Sequence, residues 1–123
     1  MTVLIRQCND CSLYFTDPIY QSYLGDLYES FYRAEGSTTT LPDRNRLEHL
    51  MATRFAGTDK DCAREIAALR RLSPGGALLE IGSSWGYFLH QANTAGFAAT
   101  GIELGRTRRE FGVRELRVNI HES

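Results

Sequence analysis

The sequence predicts an α/β fold, an incomplete doubly wound parallel sheet preceded by a small helical N-terminal region. Residues 77–81 are a short, nearly all-apolar run, the pattern of a strand covered on both faces, and residues 97–102 read as a second strand. A glycine-bounded turn and an amphipathic segment separate them. Strand, turn, helix and strand therefore follow one another within residues 77–103, as in a βαβ unit with a right-handed crossover. Between residues 20 and 72, by contrast, the apolar positions recur mainly at helical spacing.

The chain has 123 residues, of which 42% are hydrophobic and 11% aromatic. That length fits one domain, and that composition can build a core. A formal net charge of −1 excludes the strongly basic surface that drives non-specific nucleic-acid binding. The stretch 1–10 lacks the basic and apolar regions of a signal peptide, and no apolar run approaches the roughly 20 residues that span a bilayer. Three cysteines, an odd number, argue against a disulfide framework. These features predict a cytoplasmic protein with no nucleic-acid or membrane partner.

Three stretches organise the chain. Residues 1–36 open with Cys8-Asn9-Asp10-Cys11 and the β-prone run Ser12-Leu13-Tyr14-Phe15. Asp17 then reads as an N-cap with Pro18 at the first helical position. Tyr20, Tyr23, Leu24, Leu27, Tyr28, Phe31 and Tyr32 follow at helical spacing, predicting an aromatic-faced helix that ends near Gly36. Its tyrosines either pack on the sheet domain or line a substrate pocket. Residues 37–76 comprise a polar linker to Pro42 and two helices. The first spans 43–55 with Leu47, Leu50, Met51 and Phe55 on one side. The second starts near Thr58 or Asp59, carries Cys62, Ile66, Leu69 and Leu72, and stops at Ser73-Pro74-Gly75-Gly76.

Residues 77–123 hold the βαβ unit. After the turn 82–86, a helix buries Phe88, Leu89, Ala92 and Ala95, with Gly96 at its C′ position. Strand 97–102 follows, then a helix over 106–111 and a third strand over 116–120. His49 and His90 fall opposite the apolar stripes of their helices and are expected to face solvent.

The turn carries the chemistry. A parallel strand delivers the chain to the carboxyl edge of the sheet, where open α/β folds bind ligands. Gly82, Ser83 and Ser84 let the backbone approach a ligand closely, and Gly86 allows tight helix–strand packing ahead of a helix N-terminus. Glu80 ends a buried apolar run, so its carboxylate needs a partner. Glu103 ends the second strand, where a carboxylate accepts hydrogen bonds from both hydroxyls of a ribose. Trp85 either closes over a bound cofactor or fills space beside the first strand. The dinucleotide pattern G-x-G-x-x-G fails at Ser84 and Tyr87, which speaks against a nicotinamide cofactor.

What the sequence has instead is Glu80-x-Gly82-x-x-x-Gly86, followed by Gly101-Ile102-Glu103-Leu104. This resembles the cofactor half of the class I S-adenosylmethionine-dependent methyltransferases, with Ser84 where the family usually has its central glycine. The resemblance implies a Rossmann-like methyltransferase sheet with S-adenosylmethionine as cofactor and a small-molecule methyl acceptor. It implies that Glu80 and Gly82, Ser83, Ser84, Trp85 and Gly86 line the methionine side, that Glu103 binds the ribose and that Leu104 packs against the adenine. The start of the chain is similar to some members acting on sugars or other small metabolites, which begin Cys-x-x-Cys-x-Leu-x-Phe-x-x-Pro. Cys8, Cys11, Leu13, Phe15 and Pro18 reproduce that spacing. In those proteins an upstream cysteine pair completes a four-thiolate zinc site. Residues 1–7 hold no cysteine, and Cys62 is no obvious third ligand.

Catalytic residues in the family lie after its fourth strand, and none is named here. Only two or three strands fit into residues 77–123, where the family has seven. The chain is therefore expected to be the front portion of an enzyme, to bind cofactor weakly or not at all, and to self-associate through an open strand edge. A non-catalytic truncated product or interaction module is the alternative.

Overall fold

A computed structural model describes residues 4–17 and 40–122. The predicted aromatic helix, with Pro18 and Tyr20 to Tyr32, lies outside the described residues. Ahead of it, β1 (Leu4–Gln7) and β2 (Tyr14–Asp17) pair antiparallel, Gln7 opposite Tyr14. β1 was not foreseen, and Asp17 is the last residue of β2. The hairpin turns on Ser12, whose φ is 61°, with its amide donating to the Cys8 carbonyl at 3.0 Å.

Helix α1 (Arg44–Ala52) starts as predicted, because the Asp43 carboxylate accepts from the Arg46 amide at 2.7 Å. It ends three residues before Phe55. The Arg54 amide donates to the Met51 carbonyl and the Phe55 amide to the Leu50 carbonyl at 2.7 Å, the Schellman pattern. Leu50 and Phe55 are both buried, which supplies the apolar contact that accompanies such an ending. Helix α2 (Ala63–Leu72) starts later than predicted. Residues 57–61 are held in turns instead: the Thr58 hydroxyl donates to the Phe55 carbonyl, and the Asp61 carboxylate accepts from the Gly57 and Ala63 amides. Cys62 is the cap residue of α2, and Leu72 is exposed.

The main sheet is parallel, in the order β3 (Gly76–Ile81), β4 (Phe97–Ile102), β5 (Asn119–His121). This mixed α/β arrangement is compatible with one part of a doubly wound sheet. Helix α3 (Tyr87–Thr94) joins β3 to β4 and ends at Gly96, whose φ of 99° suits the C′ position. Helix α4 (Arg106–Phe111) runs into a π-helical turn, Gly112–Leu116, before β5. The third strand thus begins three residues later than predicted, because the π turn takes up Leu116.

Register divides the sheet into two faces. Phe97, Ala99 and Ile120 lie on the covered face, in one core with Leu89, Ala92, Trp85 and Phe111. Leu79 and Ile81 lie on the other and are 61% and 80% exposed. The expectation that strand 77–81 is covered on both faces is therefore corrected. The apolar run reports a strand made for two covers, and no described element packs on the second face. β3 is also one of the two edges of this sheet among the described strands. An uncovered apolar parallel strand promotes association. The chain is expected to show concentration-dependent self-association by sedimentation velocity. The variant L79K/I81K should weaken it at least ~10-fold, about 1.4 kcal/mol. A monomer throughout, or an unchanged variant, would contradict this.

No helix of the described residues is long and apolar enough to cross a membrane.

Candidate cofactor site

β3 and β4 end in register, Ile81 beside Ile102, and so bring residues 80–86 and 103–105 to one end of the sheet. The Ile102 carbonyl accepts from the amides of both Gly82 (2.8 Å) and Ser83 (3.0 Å), which anchors the turn to β4. Gly82, Ser84 and Gly86 all have positive φ, at 77°, 51° and 80°. Space beside the Gly82 Cα is open. Gly86 is needed for a second reason: a Cβ there would sit 2.6 Å from Val118 Cγ2 and 3.1 Å from Ile120 Cδ1. Gly101 faces the Ser83 side chain and Leu89 just as closely, so the turn and α3 rest directly on β4. Ser84 adopts the left-handed conformation that glycine would take more cheaply.

Glu103 is 6% exposed, and both of its oxygens are engaged. Oε2 accepts from the Ser84 amide at 2.8 Å and Oε1 from the Gly105 amide at 2.7 Å. The carboxylate is thus a brace between the end of β4 and the turn after β3. This role escaped the sequence, where Glu103 reads only as a ribose ligand. A hydrogen bond spanning nineteen residues leaves no local signal. Around it, the Glu103 amide donates to the His121 carbonyl and the Arg109 guanidinium to the Glu103 carbonyl, tying α4 and β5 to the same corner.

Glu80 points to the covered face, and its Oε2 is buried with no hydrogen-bond partner. Burial, then the nearby Glu103 charge, push its carboxyl pKa up from 4.5 to about 7. The folded chain therefore holds a proton that the unfolded chain releases between pH 4.5 and 7. Stability contributed by this group is present below that window and falls as pH rises through it. Discounted for partial solvent screening, the loss is about 1–2 kcal/mol. Glu80→Gln should remove it: the variant gains that amount on the native chain between pH 5 and pH 8 in urea unfolding. A pH-independent difference would show that Glu80 titrates normally.

The structure places Trp85 in the core. The ring is 1% exposed and packs against Tyr87 at 5.0 Å, Phe111 at 5.8 Å edge-on and Phe55 at 6.4 Å. Leu104 is 39% exposed at the tip of β4. His49 is exposed as expected, whereas His90 is half-buried with its ring 5.9 Å from Phe55. That aromatic contact draws His90 inward, which helical spacing alone does not reveal.

Cys8 and Cys11 lie on the hairpin turn. The amides of Cys11 and Asp10 hold the Cys8 thiol below its ordinary pKa. No cluster of three or more metal-ligating side chains occurs among the described residues. Cys62 is pushed up to about 11 by burial and by nearby Glu65 and Glu80, and at neutral pH it is a thiol.

The turn fits the methionine end of S-adenosylmethionine on two counts: open space at Gly82, and the partnerless Glu80 oxygen behind it. The exposed Leu104 offers apolar surface to an adenine. No protein-family model matches the chain, and no curated protein matches it.

Proposed function

We propose that this chain serves S-adenosylmethionine-dependent methyl transfer to a small-molecule acceptor in the cytoplasm, with no nucleic acid or membrane as partner. The observation that carries the reading is the turn 82–86. It lies at the carboxyl end of a parallel strand, with open space beside Gly82 and a carboxylate oxygen without a partner next to it in sequence at Glu80. The bound cofactor would supply a methyl group on a sulfonium, a leaving-group chemistry in which alignment provides much of the rate. The chain's own part is to bind and orient. The ligand approaches the open backbone at Gly82, Glu80 accepts from an ammonium group, and Leu104 covers an aromatic ring. Ribose hydroxyls would use the remaining lone pairs of Glu103, since each of its oxygens already accepts one amide.

Equilibrium dialysis against labelled S-adenosylmethionine tests this. Weak saturable binding is expected, several-fold tighter at pH 8 than at pH 6 because an ammonium group prefers ionised Glu80, and resistant to excess NAD. Displacement by NAD would favour the nicotinamide alternative. Absence of binding to either would favour an interaction module, consistent with the bare sheet face.

A further inference from the structure

A cleft of about 460 Å³ lies between α1, α2 and α3, away from the turn, and shares no residue with the candidate cofactor site. Its size falls in the range of small-molecule sites. Phe55 and Ile66 line an apolar interior, with Ala95 beside them. Arg54, Arg70, His90, Gln91 and Thr94 are its polar lining residues, and no carboxylate side chain lines it. Among the described residues neither Arg54 nor Arg70 has an acidic partner. The Gln91 amide stiffens one wall: Oε1 accepts from the Cys62 amide, and Nε2 donates to the Lys60 and Tyr87 carbonyls.

Arg54 stands at the C′ position of α1 with φ 51°, followed by Phe55 at 65°. Glycine is the residue that relaxes this position, so arginine is kept there against the local backbone preference. This backbone conformation places Phe55 in the core beneath the cleft and Arg54 among the residues that line it.

We propose that this cleft binds a small amphipathic carboxylate of the medium-chain fatty acid type, the acid paired with Arg54 and Arg70 and the chain laid over the accessible Met51, Ala63 and Ala67. Unpaired guanidinium groups beside a carboxylate-free apolar interior complement such a ligand and no neutral one as well. The site is independent of the methyl-transfer reading, and either stands if the other falls.

Isothermal calorimetry with decanoate and decanol tests it, below the concentrations at which either aggregates. Decanoate should bind saturably to the native chain, at least ~10-fold tighter than decanol, and R54Q/R70Q should lose at least ~10-fold for decanoate alone. Arg54→Gly separates binding from folding. It relieves the backbone and should raise the melting temperature, yet weaken decanoate. L79K/I81K, on the bare sheet face, should bind decanoate as the native chain does. Equal affinity for acid and alcohol, unchanged binding in R54Q/R70Q, no saturable decanoate binding, or loss only in L79K/I81K would overturn the proposal.

Discussion

Glu103→Ala is expected to destabilise the chain by about 2–4 kcal/mol, because it strips the acceptor from two buried backbone amides at once. Those amides, of Ser84 and Gly105, belong to the two loops that form the end of the sheet. Their hydrogen exchange should accelerate before that of the β3–β4 ladder, since the turn opens locally while strand pairing remains. Glu103→Gln should lose about half as much. Its one amide oxygen still serves one backbone donor, while its NH2 group confronts the other. Urea unfolding reads both. An alanine variant within ~0.5 kcal/mol of the native chain would mean that water replaces the carboxylate without cost and that Glu103 braces nothing. The pair also bears on ligand binding. A cofactor affinity lost in Glu103→Ala has two sources, a missing ribose acceptor and a collapsed turn, so the effect must be read beside the stability.

Gly86→Ala should cost about 2–5 kcal/mol, the sum of a backbone and a packing contribution. At a φ of 80° a Cβ is strained wherever it sits, and here it meets Val118 Cγ2 at 2.6 Å and Ile120 Cδ1 at 3.1 Å. Gly96 provides the control. Its φ is 99°, and a Cβ there touches nothing within 4 Å. Gly96→Ala therefore carries the backbone strain alone, and the difference of roughly 1–3 kcal/mol between the two variants measures how tightly the α3 N-terminus is pressed onto β5. Equal losses would show that β5 moves aside freely.

Much of this end of the molecule was legible in the sequence. Strands β3 and β4, the turn between Gly82 and Gly86, and the Gly96 helix stop all follow from local chemistry. Apolar runs bounded by glycine, an αL requirement and a helical stripe each act over a few residues. What was not legible depends on contacts between distant segments. Glu103 reaches back nineteen residues to Ser84. Trp85 turns into the core because Phe55 and Phe111 arrive there from two distant places in the chain. The late start of α2 reflects Asp61, whose carboxylate gathers the Gly57 and Ala63 amides and competes with helix over 58–61. The bare face of β3 is the same lesson in reverse. An apolar strand records the covers it was built for, whereas which covers are present is a property of everything packed around it.

Under the proposed function, S-adenosylmethionine binds at the corner formed by the turn 82–86 and Glu103. Amide-resolved NMR titration with that compound tests it most directly, since weak binding still moves the signals of the residues it touches. The predicted result is saturable shifts confined to Glu80, Gly82 to Gly86 and Glu103 to Gly105, reduced in Glu80→Gln. Shifts absent from this corner, or matched there by NAD at equal concentration, would contradict it.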